Sequence, residues 1–317
     1  MKIRRAIVFC LIFVCIQTTT ARKCAEEKGP IFIRADGTVE PAVAPIQRNG
    51  DVYTLMNNIT SETDGIVIEK SSITFNGSGH TVQGGTNGSG FYLYSISNVT
   101  ISNTRTVGFK YGIYLESTSR NVVSGNDITR CIYDGISLSD AANNTISSNN
   151  INKNGWAGIG LYFSLGNNIT ENRISDNYYG IISLSSQKNS IFHNNFVANT
   201  DQISSDGLPT AWDNGYPSGG NYWSDHNPAD GDLDRIGDLA YITDENNFDQ
   251  YPLVYPYGFV PKPDVNSDGT VNIIDIATVA TAFACEPGDD RWNPLTDLDM
   301  NEMINIIDIA DVARNFG

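Results

Sequence analysis

The sequence predicts a mainly β protein: a right-handed parallel β-helix with three strands per turn of 22–23 residues, followed by a small helical module with paired acidic loops. Three observations carry that expectation. Charged residues make up only 18% of the 317, while glycine, serine, threonine and asparagine abound, a composition of strands and turns. The segments NVTISN (98–103), NVVSGN (121–126), NTISSN (144–149), NNITEN (167–172) and NSIFHN (189–194) begin 23, 23, 23 and 22 residues apart, the self-similarity of a solenoid. Apolar residues keep the same beat in three columns: Ile113/Leu115, Ile136/Leu138, Ile159/Leu161 and Ile182/Leu184; then Val123, Ile146, Ile169 and Ile191; then Ile128, Ile151, Ile174 and Phe196. Alternation within each segment marks strands with one buried face.

In chain order, MKIRRAIVFCLIFVCIQTTTA (1–21) reads as a secretory signal, with a basic start at Lys2, Arg4 and Arg5 and an apolar run from Ala6 to Ile16. That run is well short of the roughly 20 residues that span a bilayer, and no second apolar span follows. The expected location is extracellular or at the cell surface. Loss of the signal takes the formal charge from −16 to −19, which argues against nucleic acid or anionic membrane as partner and suits divalent cations. Cys24, Cys131 and Cys285 remain, scattered and odd in number, so they make no disulfide framework. Sequons at Asn58, Asn76, Asn87, Asn98, Asn143 and Asn168 fit an exported surface.

Residues 22–64 are expected to cap the helix and 65–205 to form its coils. Leucine-rich repeats share the period, but their motif is missing and no helical stretch separates the strands. The asparagine columns 98/121/144/167/189 and 103/126/149/172/194 are expected to be structural, tolerating left-handed corners and hydrogen-bonding in ladders. His80, in a glycine-rich turn, is expected to be structural too. Outward positions of the first strand column read Tyr92, Tyr94, Tyr114, Glu116, Ser137, Ser139, Gly160, Tyr162, Ser183 and Ser185. Of these, Tyr92, Tyr94, Tyr114, Glu116 and Tyr162 are candidate glycan-binding residues, rings to stack on sugars beside a carboxylate to hydrogen-bond them. Strand tyrosines are also common for packing alone.

The coils, with IFIRADGTVEPAVAPIQRNGDVYTL before them, resemble secreted archaeal proteins bearing a NosD-like β-helix of the carbohydrate-binding and sugar-hydrolase class. The segment 212–253, with its GGNYWSD string, is similar to the module that commonly follows such helices, here placed at 206–257. NosD relatives are often labelled copper-binding, but His80, His193 and His226 are widely spread and have no Met or Cys beside them. In DGDLDRIGD, Asp230, Asp232, Asp234 and Asp238 are a possible calcium site or a solvated acidic loop.

After a linker (258–263), residues 264–317 carry two copies of one loop. Asp264, Asn266, Asp268, Asn272 and Asp275 take positions 1, 3, 5, 9 and 12 of a calcium loop, with the Thr270 carbonyl at 7 and Gly269 at the sharp turn. The second copy places Asp297, Asp299, Asn301, Asn305 and Asp308 alike but has Glu302 at the glycine position, so the first loop is the safer site. Each loop runs into one helix, and prolines before the first forbid an entering helix. The pair resembles a type I dockerin. That resemblance implies structural calcium and docking onto a cohesin-bearing secreted or surface protein, with Ile273, Ile274, Ile306 and Ile307 as cohesin-binding positions.

Two functions follow: a glycan-associated β-helix protein anchored in an extracellular complex by a calcium-dependent dockerin, or a polysaccharide-degrading hydrolase or lyase delivered by the same module. No catalytic motif is identified. Glu116 with Asp140 is a conceivable acid pair, and Arg173 near Asp127 a weak lyase-like one.

Overall fold

Every strand of the coils is short, most of them three to six residues, because an alternating segment can bury one face only when identical segments stack above and below it. The computed structural model describes residues 29–316 apart from 233, 260–261, 267 and 269. The signal segment, Cys24 and Gly269 lie outside the described residues. Three parallel sheets run the length of a right-handed-type solenoid of about seven turns.

The first sheet includes Tyr111–Glu116, Ile136–Ser139, Ala157–Tyr162 and Tyr179–Leu184; the second includes Val122–Ser124, Thr145–Ser147, Asn168–Thr170 and Ser190–Phe192; the third includes Asp127–Thr129, Asn150–Asn152, Arg173–Ser175 and Asn195–Val197. Stacking begins earlier than the expected cap boundary. Ile31–Ile33, Val52–Leu55 and Ile59–Ser61 already pair in parallel with the strands of the next coil.

The second and third apolar columns lie in register as the repeat predicts. The first column slips at its end. Ile159 pairs with Ile181 and Leu161 with Ser183, so Ile181 and Ser183 point inward while Leu184 lies 40% exposed. The physical reason is that this coil is one residue shorter, and a shift of one exchanges the faces of a strand. The expected inward pair Ile182/Leu184 and outward Ser183 are therefore corrected.

Asparagine ladders close the corners. Asn121, Asn144, Asn167 and Asn189 form one, each Oδ1 accepting the backbone N–H and the side-chain N–H of the asparagine one coil earlier. Asn126, Asn149, Asn172, Asn194 and Asn221 form a second, and Asn154, Asn177 and Asn199 a third that the sequence reading missed. Asn98 and Asn103 stand outside them: Val99 and Thr104 hold those ladder places. The left-handed corners belong to the residue before each ladder position, among them Asn98, Arg120, Asn143 and Lys188, not to the ladder asparagines.

Aromatic residues seal the far end. Trp223 stacks on Phe196 at 4.3 Å and Tyr241 on Trp223 at 4.1 Å, while Trp212 is buried beside them. The buried Asp249 staples this cap by accepting from the Asn221 amide, the Trp223 indole and the Tyr251 amide. Beyond it, helix α1 (Ile273–Thr281) and helix α2 (Ile306–Arg314) pack around a separate small core of Val279, Ala282, Trp292, Ile304 and Val312. Cys131 and Cys285 are free thiols buried in different cores.

Asn172 sits mid-ladder, accepting from Asn149 twice and donating to Ile146, Thr170 and Asn194. Asn172→Ala leaves buried backbone groups unpaired and is expected to cost about 3 kcal/mol. The exposed Asn150→Ala is expected to cost under about 1 kcal/mol. Denaturant midpoints of the two variants check the contrast.

Candidate functional site

The outer face of the first sheet carries a cleft built from several coils, about 370 Å³ in volume. Its origin is a gap in a column. Tyr111, Asp134, Ala157 and Tyr179 each stand two residues before the inward isoleucines 113, 136, 159 and 181, so they stack one above another. Tyrosine stands at 111 and 179, and the shorter aspartate and alanine lie between them, with Asp134 and Tyr111 lining the cleft. Tyr111, Tyr114, Tyr133, Trp156 and Tyr162 wall it.

Asp134 forms the floor and is 1% exposed. Its Oδ2 accepts from Ser137 Oγ at 2.9 Å and Tyr162 Oη at 3.2 Å. Its Oδ1 is buried and has no hydrogen-bond partner. Burial pushes the carboxyl up to about 6, and Ser137, Tyr162 and the Ala157 amide pull it part of the way back. Tyr162 reaches the floor only because Gly160 lies beneath it: a Cβ there would meet Asp134 Oδ2 at 2.6 Å and the Tyr162 ring at 2.6 Å. Burial and the Asp134 charge hold the Tyr162 hydroxyl protonated, well above its ordinary range.

The aromatic wall extends along the solenoid. Tyr92, Tyr114, Tyr111 and Tyr133 stack in series, with ring centroids 5.1–5.7 Å apart. Trp156 stacks on Tyr178 with planes within 1°. The cleft opens where the series passes from Tyr133 to Trp156, each more than two-fifths exposed.

Of the glycan-binding candidates, Tyr114 and Tyr162 line the cleft, and Tyr92 and Glu116 adjoin it through a 2.6 Å hydrogen bond from Tyr92 Oη to Glu116. Tyr94 stands apart, 56% exposed. Asp134, Tyr111, Tyr133, Trp156 and Tyr178 were missed. Part of their signal was present: aromatic residues at 133, 156 and 178, one coil apart just ahead of the first-sheet strands.

Of the two tentative pairs, the structure rearranges Arg173 with Asp127. Glu116 is held by Tyr92, whereas Asp140 accepts from Ser117. Asp127 pairs with Arg105 at 3.1 Å and with Asn150, not with Arg173, because the register brings Arg105 alongside it and sets Arg173 beside Asn150.

Two acidic groups outside the wall bring carboxylate oxygens within 4.8 Å of one another: Asp230, Asp232 and Asp234, and Asp297, Asp299 and Asp308. Asp238 is turned to the Gly231 amide. In the first acidic loop, Asp264 and Asn266 accept from the Asp268 amide, Asp268 accepts from Thr270, and Asp275 is buried. The clustered carboxylates lie in the second loop, where Glu302 adopts the left-handed conformation and Asn301 donates to Asp299. Asn272 with Asp275, and Asn305 with Asp308, form capping boxes that start the two helices. Ile273, Ile274, Ile306 and Ile307 are 46–66% exposed.

A family model described as periplasmic copper-binding protein (NosD) matches residues 36–228. No curated protein matches. Solved structures with similarity include a periplasmic alginate epimerase (20% identity, TM-score 0.37, covering 44% of this chain and 35% of that one). The A-module of a mannuronan C-5 epimerase from Azotobacter vinelandii is also similar (15% identity, TM-score 0.42, 50% and 56%). So is an alginate lyase from a Paenibacillus species (16% identity, TM-score 0.27, 44% and 68%). This chain thus spans about a third to a little over half of the first two.

The donors here do not fit copper. His193 and His226 each turn Nε2 to a backbone carbonyl, Ser218 at 2.8 Å and Leu239 at 3.0 Å. Among the described residues no histidine or cysteine joins a metal-spaced group, and both such groups are carboxylate only, hard donors that suit calcium or magnesium.

The raised Asp134 carboxyl sets a pH signature. Its folded value exceeds its unfolded one, so its contribution to stability is present in acid and is lost as pH rises from about 4 through about 6. Asp134→Asn is expected to match the wild type at pH 4 and to be more stable by about 1–3 kcal/mol at pH 8. Denaturation of both proteins across that range checks it.

Proposed function

The chain belongs to the NosD family, and on that footing we propose that it is a secreted or cell-surface glycan-associated β-helix protein whose tail anchors it in an extracellular complex. The observation that carries the glycan reading is the Asp134 cleft: a buried carboxylate, one oxygen of which accepts no hydrogen bond, framed by aromatic rings and hydroxyls on a regular wall. Rings supply apolar faces for the C–H surface of a pyranose, and the hydroxyls and carboxylate supply the few placed polar contacts that orient it. Repetition of aromatic positions coil by coil suits a polymer running along the solenoid.

A catalytic reading draws on the same carboxyl, poised to exchange a proton near neutral pH. Glycoside hydrolysis requires a second carboxyl about 5–9.5 Å away, and Asp134 is the only acid lining the cleft. Binding without cleavage is therefore the preferred function. Affinity electrophoresis and calorimetry over a polysaccharide panel test it. At least one polymer is expected to bind, and Trp156→Ala to weaken it about tenfold. Retention of no polymer would overturn the reading, and release of new reducing ends or unsaturated products would replace it with the enzymatic one.

The tail is proposed to be a dockerin ordered by calcium at Asp264, Asn266, Asp268, Thr270, Asn272 and Asp275 and at the corresponding set from Asp297 to Asp308. Its cohesin-binding surface is proposed to be the four exposed isoleucines. Exposed apolar pairs repeated on two equivalent helix starts suit an interface. Calcium added to the metal-stripped protein is expected to raise the melting temperature of the tail, and Asp264→Ala with Asp268→Ala to blunt that rise. An unchanged melting curve would count against calcium.

A further inference from the structure

We propose that the Asp134 cleft is a subsite for a sugar bearing an unacetylated, protonated amino group, so that the preferred glycan is an amino-sugar polymer. The inference deepens the glycan reading and rests on it. Asp134 is 1% exposed; the Ser137 and Tyr162 hydroxyls donate to Oδ2 and the Ala157 amide lies near the carboxyl, while Oδ1 has no hydrogen bond of good geometry. An ionised carboxylate removed from water is costly unless a cation or several donors answer it. None of the residues lining the cleft is a lysine, arginine or histidine. Lys110, the nearby cation, sits on the Tyr111 and Tyr133 rings, which leaves the carboxylate itself for a positive group on the ligand.

The walls favour the same charge. Tyrosine and tryptophan rings around a carboxylate floor form the kind of aromatic cage that holds ammonium groups through the ring quadrupole. Two of these rings already attract one from this chain: the Lys110 ammonium lies 5.2 Å from the Tyr111 centroid and 5.4 Å from that of Tyr133. A uronate would set a second negative charge beside the Asp134 carboxylate, where Lys110 on the rim offers a single positive one. An N-acetylated sugar would present an uncharged amide, which answers neither the carboxylate nor the rings as an ammonium does.

Isothermal titration of the whole protein at neutral pH with glucosamine oligomers, their N-acetylated counterparts, glucose oligomers and polyuronate oligomers of equal length tests this. Glucosamine oligomers are expected to bind about tenfold tighter than the acetylated or neutral ones, and D134N to bring the three to parity. Acetylated or neutral oligomers binding as tightly as glucosamine, or polyuronates binding best, overturn the charge inference and leave glycan association standing. Binding of no oligomer overturns both. The comparison between ligands needs no variant, so it decides the matter even where D134N does not fold.

Discussion

The hydrogen-bonded asparagine ladder is the constraint on which the rest of the molecule depends. Each rung fixes one coil to the next at a corner, where the chain must turn without exposing a buried amide. A side chain that both accepts and donates meets that need, and asparagine satisfies the backbone of one coil while its own N–H bonds to the next. With the corners fixed, isoleucine falls on isoleucine in the second and third columns, and the core becomes a stack of identical layers. Left-handed conformations at the preceding residues are then tolerated because every neighbouring coil enforces them.

The same stacking explains how a site arises on an otherwise regular wall. A solenoid column is a row of equivalent positions, and function can enter by breaking the equivalence. Aspartate and alanine between Tyr111 and Tyr179 put two short side chains where the flanking coils carry rings, and Gly160 lets Tyr162 lie back across the floor. The flanking rings stay in place because they lean on one another. Asp134 is thereby desolvated by its own repeat, which raises its carboxyl and removes its contribution to stability at neutral pH.

Much of the solenoid was legible because its causes are local and periodic. The spacing of NVVSGN and NTISSN announces the coil, and the columns through Ile146 and Ile151 announce two of the three sheets. Phase was harder to read. Asn98 and Asn103 match the motif yet sit one residue off the ladder, and the shortened coil before Asn189 exchanges Ser183 for Ile182. A repeat gives the period of a chain, whereas register is settled by the turn that absorbs the missing residue. Asp134 is one of several acids on the coils by sequence; its burial and its contacts with Ser137 and Tyr162 exist only once the coils stack.

The tail shows a different logic for the same residue type. In both helices an asparagine caps the first turn and the aspartate three residues later returns to the capping amide, so Asp275 and Asp308 sit on the buried side. Each also accepts from an amide early in its own loop, Asn266 in one copy and Leu298 with Asp299 in the other. The short aspartate suits this double duty, since it must reach back to its own N-cap while the loop folds over it. Once the third helical residue faces inward, the first two must face outward. That geometry holds Ile273 with Ile274, and Ile306 with Ile307, at the surface although all four are strongly apolar. Their exposure is a consequence of how the acidic loops start the helices, which ties the form of the tail's apolar surface to the carboxylates beneath it.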